Sequence, residues 1–393
     1  MRHLGKSYQP ELTGVRAIAA LLVLTLHAGQ NFPNWLVDES LVRRGYLGVD
    51  LFFILSGFII AYVYMGALVP IHARSLCVFF WHRFVRLFPA HATVLILLVV
   101  LIAVLRFKGI ELNEQKSWDY GDLPWHFLML HAWGLTDVAG WNAPSWSISA
   151  EWFAYLLFPA AAAIALVLPR YSALPLAGAM LTGIATLFCF FHWEIEWAWL
   201  GQPALLRVAA EFICGVLIYR TTRIDFARPP SWLFDALAVG GLFMFVCGAF
   251  LDANDFVLIA LLGALVAGVS GQGAVARAIF GCRPAVWVGE ISYSTYVIHF
   301  PVLLVLRHGI DYFAGFHVAD SEVAQQTLFF ISLATVICVA SLLYYWVEYP
   351  TRHRLRNVFG VIDARPSKFA LVAIAVDGDE MARKSRASGP TPL

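Results

Sequence analysis

Eleven positions separate Arg16 from His27, and both lie inside the first apolar stretch, residues 12–29. A charged group in a membrane helix is costly and is by default a functional residue. Eleven helical residues make about three turns and climb about 16 Å. The two side chains therefore share one face, near opposite surfaces of a bilayer. A guanidinium suits an anionic partner, and a neutral imidazole suits general-base work. Together they draw a line of polar chemistry across most of a membrane.

Two carboxylates fall at the depth of His27. Asp50 lies about one turn into the second apolar stretch, and Glu151 about two turns into the fourth. A carboxylate beside a histidine fixes its tautomer and raises its basicity. For Asp50 that role stands against pairing with a buried arginine, and for Glu151 against a helix-packing contact. In WHRFVRLFP, Arg83 and Arg86 are three apart and share a face if helical. They suit a phosphate-bearing ligand or, equally simply, anchor a helix end. His82 and Pro89 add little by themselves. GEISYSTYVIHFP offers Glu290, Ser292, Tyr293, Ser294, Tyr296 and His299, whose hydroxyls would line a polar cavity or hold helices together. Glu348 in WVEYP reads as a local ion pair with Arg352. The six cysteines are scattered and form no CxxC pair, so neither a disulfide framework nor a metal site is expected. No P-loop, GxSxG, HExxH or EF-hand pattern is present.

These residues must be positioned by membrane helices. The chain is 60% hydrophobic and 13% charged, where soluble proteins carry about 25% charge. The mean hydropathy of +0.72 and recurrent apolar runs of about 20 residues define an all-α polytopic membrane protein. A net charge of +1 says nothing about nucleic acid, and no basic stripe points to it, so none is expected as a partner. Ten spans are expected, roughly at 12–30, 46–66, 88–106, 145–168, 174–192, 204–220, 232–251, 255–272, 286–307 and 326–348. The connections on one side hold 14 lysines and arginines, those on the other four. The positive-inside rule then makes both termini cytoplasmic. Arg106, Arg207 and Arg307 sit at outer span ends and are expected to snorkel. The long connection 107–144 contains a weakly apolar piece, 123–135, that reads as re-entrant or interfacial, or as a further span if another run re-enters. Arg16 interrupts any cleavable-signal core, so the first stretch reads as a retained helix. Residues 357–393 read as a polar, disordered cytoplasmic tail.

ELTGVRAIAALLVLTLHA, GYLGVDLFFILSGFII, RFVRLFP, PSWSISAEWFAYLLFP, GEISYSTYVIHFP and WVEYPTRHRL resemble, in this order, the bacterial acyltransferase family 3. Its members are integral membrane O-acyltransferases of cell-surface glycans and some secondary metabolites. The resemblance covers residues 10–356 and implies a ten-helix transmembrane acyltransferase domain over 1–356, in the bacterial inner membrane. It implies acetyl-CoA as donor, with no metal, and a glycan or glycosylated acceptor, with polysaccharide assembly proteins as further partners. Carried over by motif, Arg16 and His27 are the essential pair of the first helix and Asp50 the acid of the second. Arg83 and Arg86 are the arginine pair that follows, and Glu151 closes the SxxxE element that begins at Ser147. The SGNH hydrolase-like domain of many relatives is missing from the sequence.

The mechanism expected from this resemblance sets CoA phosphates near Arg83 and Arg86, with Arg16 along the path of the thioester. His27, oriented by Asp50, takes the proton of a sugar hydroxyl of an exopolysaccharide or other surface glycan. Two alternatives accompany it: acylation of a small secreted glycosylated metabolite of macrolide type, and membrane transport.

Overall fold

The computed structural model describes residues 9–32, 40–68, 71–109, 115–222, 229–314, 322–356 and 358–359. Every regular element among them is helical. The principal helices are α1 (Pro10–Asn31), α2 (Leu47–Leu68), α3 (Ala73–Phe107), α4 (Trp146–Val167), α5 (Arg170–Phe191), α6 (Gly201–Thr222), α7 (Ser231–Phe250), α8 (Asp255–Ser270), α9 (Ala274–Phe280), α10 (Arg283–Ala314) and α11 (Glu322–Leu343). Among the described residues nine helical stretches are long and apolar enough to cross a membrane, and α8 with α9, bent by 108° at their break, raises the number to ten. The protein is thus an all-α, multi-pass membrane protein. The expected tail, 357–393, lies outside the described residues except for 358 and 359.

Helices in lipid gain little from excluding water and associate through close packing of small residues. The helices that carry the candidate site follow that rule. At the α2–α6 crossing a Cβ on Gly57 would collide with the Phe212 carbonyl, and one on Gly215 with the Ile54 carbonyl. At the α1–α10 crossing a Cβ on Gly289 would collide with the Thr13 carbonyl. The α1, α2, α6 and α10 backbones are therefore held in direct contact, and their polar side chains meet at fixed heights.

Helix α3 starts well before the expected span. Its 35 residues rise about 52 Å, against about 30 Å of hydrocarbon. WHRFVRLFP is therefore an early section of one continuous helix, and Arg83 and Arg86 do share a face. The last span carries one π-helical turn, Tyr344–Glu348, between α11 and a final helix at Tyr349–Leu355. The extra residue in such a turn rotates the side chains that follow it.

The piece 123–135 does not span. Its α-helix, Leu123–Phe127, has five residues, about 8 Å of rise. The rest is 3-10 turns bonded to the start of α4: Ser149 Oγ accepts from Ala132 N at 3.0 Å, and Trp133 Nε1 donates to Ser149 O at 3.0 Å. Pro301 inside α10 cannot donate to the Val297 carbonyl. Asn142 Nδ2 supplies the missing donor at 2.9 Å, which pins the connection to the break in the α10 ladder. The connection buries two histidine rings, His126 and His131, stacked with centroids 4.0 Å apart. Burial, then His91, pushes His126 down to about 3, so this ring packs uncharged.

Candidate active site

A cavity of about 100 Å³ opens between α1, α2, α3, α4 and α10. Arg16, Arg83, Arg86, Glu151, Tyr155 and Tyr293 give it its polar wall, and Phe52, Phe53, Leu55 and Ile59 part of its apolar one. The structure thus joins Arg16 to the α3 arginine pair, which lies 67 positions away at its nearer member.

The three guanidinium groups are held differently. Arg86 forms a short ion pair with Glu348, whose second oxygen accepts from Ser294 Oγ at 2.7 Å. Arg352 stands 3.8 Å from the same carboxylate. The expected local Glu348–Arg352 pair is thus present, but it is the looser of two: the buried Glu348 carboxylate is paired more closely with the α3 arginine. Arg83 donates to Tyr64 Oη at 3.1 Å, and its guanidinium carbon lies 5.1 Å from the Tyr64 ring centre and 5.8 Å from that of Tyr155. Its Nε is buried and has no hydrogen-bond partner. Among the described residues neither Arg16 nor Arg83 is in an ion pair. Glu151 accepts from Ser56 Oγ at 2.6 Å and from Tyr155 Oη at 2.5 Å, both through Oε1. It packs α4 against α2 and faces the cavity at once.

Asp50 is fully buried and bonded to Arg207 on α6, with Nε to Oδ1 at 2.8 Å and Nη2 to Oδ2 at 2.6 Å. Arg207 also donates to Ile195 O at 2.8 Å and approaches Glu211 Oε1 at 3.6 Å. The expected snorkelling of Arg207 is corrected, since only 2% of its surface is exposed. The expected bond from Asp50 to His27 is replaced as well. A buried carboxylate gains most from a bidentate guanidinium, and His27 Nδ1 bonds Val23 O on its own helix at 2.9 Å.

His27 is half-buried and stands outside the cavity lining. Its ring centre lies 4.9 Å from that of His299 on α10. Tyr296 joins the two regions: it lines the cavity, and its ring centre is 5.6 Å from that of His299. Its hydroxyl bonds Ser147 Oγ at 2.6 Å and Pro144 O at 2.7 Å. Polar side chains therefore run from the arginines through Tyr296 to the histidine pair.

Residues 9–346 match the acyltransferase domain family. The chain belongs to acyltransferase family 3. It is 29% identical over 380 residues to acyltransferase MdmB of Streptomyces mycarofaciens, covering 87% of this chain and 91% of that protein. Peptidoglycan O-acetyltransferase OatA of Listeria monocytogenes is 23% identical over 375 residues, 88% of this chain and 56% of the relative. O-acetyltransferase OatA of Staphylococcus aureus is 21% identical over 397 residues, 94% and 61% respectively. The chain thus spans little more than half the length of the two OatA proteins. No solved structure matches it.

Within this member of acyltransferase family 3, the structure gathers Arg16, Arg83, Arg86 and Glu151 around one cavity and leaves Asp50 and His27 outside its lining. Sequence reasoning missed Arg207 and Glu211 as partners of Asp50, although their spacing of four inside an apolar span was a usable signal. It also missed Glu348 as the partner of Arg86, a contact no local pattern carries. Among the described residues no cluster of three or more His, Cys, Asp and Glu side chains is arranged to hold a metal.

Proposed function

We propose that the protein is a membrane O-acetyltransferase that moves an acetyl group from cytoplasmic acetyl-CoA to a sugar hydroxyl of an exopolysaccharide or another cell-surface glycan. The observation that carries this reading is the cavity in which Arg16 meets Arg83 and Arg86. Desolvated guanidinium groups beside a buried, unpartnered Arg83 Nε fit the phosphates of a CoA thioester, which they can bind bidentately. In this reading 1–356 is the catalytic domain, both termini are cytoplasmic, and the protein resides in the bacterial inner membrane. The positive-inside count supports that orientation.

Acetyl-CoA would supply an activated acyl group at the end of a long flexible arm. Arg83 and Arg16 hold its anionic end, while Glu348 keeps Arg86 in place. The apolar wall excludes water from the thioester. His27 works from the far end of α1, about 16 Å above Arg16. Its Nδ1 donates to Val23 O, which leaves Nε2 as the basic nitrogen. That atom takes the proton of the incoming hydroxyl, whose oxygen adds to the acyl carbon. The C–S bond then breaks, and the proton passes on to the departing thiolate. Asp50 contributes by fixing α2 to α6 through Arg207 and thereby the floor against which α1 packs.

The test is the O-acetyl content of purified surface polysaccharide, by proton NMR, in a deletion strain carrying either the natural gene or His27→Ala. The expected result is acetyl signals restored by the natural protein alone, at equal protein level. Full restoration by His27→Ala would end the general-base reading. Acetyl groups found only on a secreted small molecule would move the acceptor there.

A further inference from the structure

His299 has no part in the mechanism above, yet it is the ring that His27 meets. It is 1% exposed, and its Nε2 is a buried nitrogen with no hydrogen-bond partner. Such an atom is expensive to leave unpaired and calls for a physical reason. The neighbouring bonds supply one. His27 Nδ1 lies 2.9 Å from Val23 O, and His299 Nδ1 lies 2.6 Å from Tyr296 O. A ring nitrogen at that distance from a carbonyl oxygen must carry the hydrogen. Both imidazoles are then Nδ1–H tautomers, and both present a bare lone pair at Nε2. Two acceptors cannot bond each other. One added proton removes that bar, because it turns one Nε2 into a donor.

We infer that His299 shares the proton that His27 removes from the acceptor hydroxyl, so that the base of this site is a pair of imidazoles. This inference rests on the general-base reading of His27. The ring centres are 4.9 Å apart, and an N–H···N bridge of ordinary length sets two imidazole centres about 5 Å apart. The exposures divide the work. Half-buried His27 meets the hydroxyl, and buried His299 stands behind it. When the acceptor O–H bond breaks, an N–H bond forms at His27 Nε2. The new N–H is shared between the substrate oxygen and His299 Nε2 while the oxygen adds to the acyl carbon. After the C–S bond breaks, the proton leaves His27 for the thiolate, and His299 returns to its unbonded state. Atoms and charges balance with no further reactant. The flanking side chains on the two helices, Leu24, Ala28 and Leu303, belong to one apolar cluster, and a charge-assisted bridge is strongest where water is absent. His299 is thus a positioning residue that acts through His27.

The test separates this role from packing by comparing two substitutions. Membrane vesicles from a deletion strain expressing each variant supply the natural acceptor, and radiolabelled acetyl-CoA is varied to give kcat per immunoblotted protein and the donor KM. His299→Phe keeps the ring volume and its contact with Tyr296 but has no lone pair. His299→Gln keeps an acceptor and loses the ring. Proton sharing predicts that Phe lowers kcat about 100-fold, that Gln stays within about tenfold of the natural protein, and that donor KM is unchanged in both. Packing alone predicts the reverse order. Phe at the natural rate, Phe outperforming Gln, or failure of both variants to accumulate in the membrane overturns the inference. His27→Ala, run alongside, keeps the two levels apart. Activity in that variant overturns the general-base reading itself. An inactive His27→Ala beside a fully active His299→Phe overturns only the sharing of the proton.

Discussion

Two ionic clusters lie inside the helical bundle, both touching α2 or its neighbours, and they are built on opposite plans. Asp50, Arg207 and Glu211 form a closed cluster: the guanidinium is bidentate to Asp50, a third bond goes to Ile195 O, and each residue is at most 2% exposed. The arginines of the cavity are left open. Arg86 has Glu348, but Arg83 has a tyrosine hydroxyl and an unpartnered Nε, and the space before them is empty of protein. A buried ion pair stabilises little in net terms, yet removing one partner is severe because the other charge stays behind. The closed cluster therefore fixes geometry, while the open one keeps its charge for a ligand.

The contrast breaks most visibly at Arg207. Arg207→Met strands Asp50 and should cost about 3–5 kcal/mol, seen as a lower melting temperature in detergent. Adding Asp50→Leu and Glu211→Gln should recover most of the loss, since no charge of the cluster then remains. A single variant of natural stability but without activity would move this pair from scaffold to chemistry. A smaller effect is expected at the open cluster. Arg83→Met should raise donor KM roughly 10- to 100-fold, the value of about 1.5–3 kcal/mol for charged hydrogen bonds, with the melting temperature unchanged. An unchanged KM with lowered stability would make Arg83 a helix anchor. The smallest effect belongs to Glu211. Its Oε2 has no partner, and it stands 3.6 Å from an arginine already bonded to Asp50. Glu211→Gln should leave stability within about 0.5 kcal/mol of the natural protein, and a large loss in calorimetry would show that the closed cluster needs both carboxylates.

Much of this was legible in the chain. Apolar runs of bilayer length placed the helices, because lipid forces each crossing segment to satisfy its own backbone. The polar residues in and beside those runs marked most of the polar side chains of the cavity, Ser56 and Tyr155 excepted, because such residues are rare without a reason. Helix α3 was read too short, since the apolar count stops at Pro89 while the helix runs on through an amphipathic section rich in arginine and aromatic residues. The piece 123–135 was ambiguous because hydropathy cannot tell burial in lipid from burial against α4.

Sequence alone thus determined that the protein is a bundle of membrane helices, that Arg16 and His27 occupy one face of the first, and that Arg83 and Arg86 share a face of the third. Those are properties of single helices, set by a rise and a twist that every residue obeys. Only the tertiary structure decided who pairs with whom: Asp50 with Arg207, Arg86 with Glu348, His27 with His299. Each partnership joins residues more than 150 positions apart. For the first and the last of these, what brings them together is the close approach of helix backbones at Gly57, Gly215 and Gly289, and packing of that kind leaves no periodic trace in a sequence.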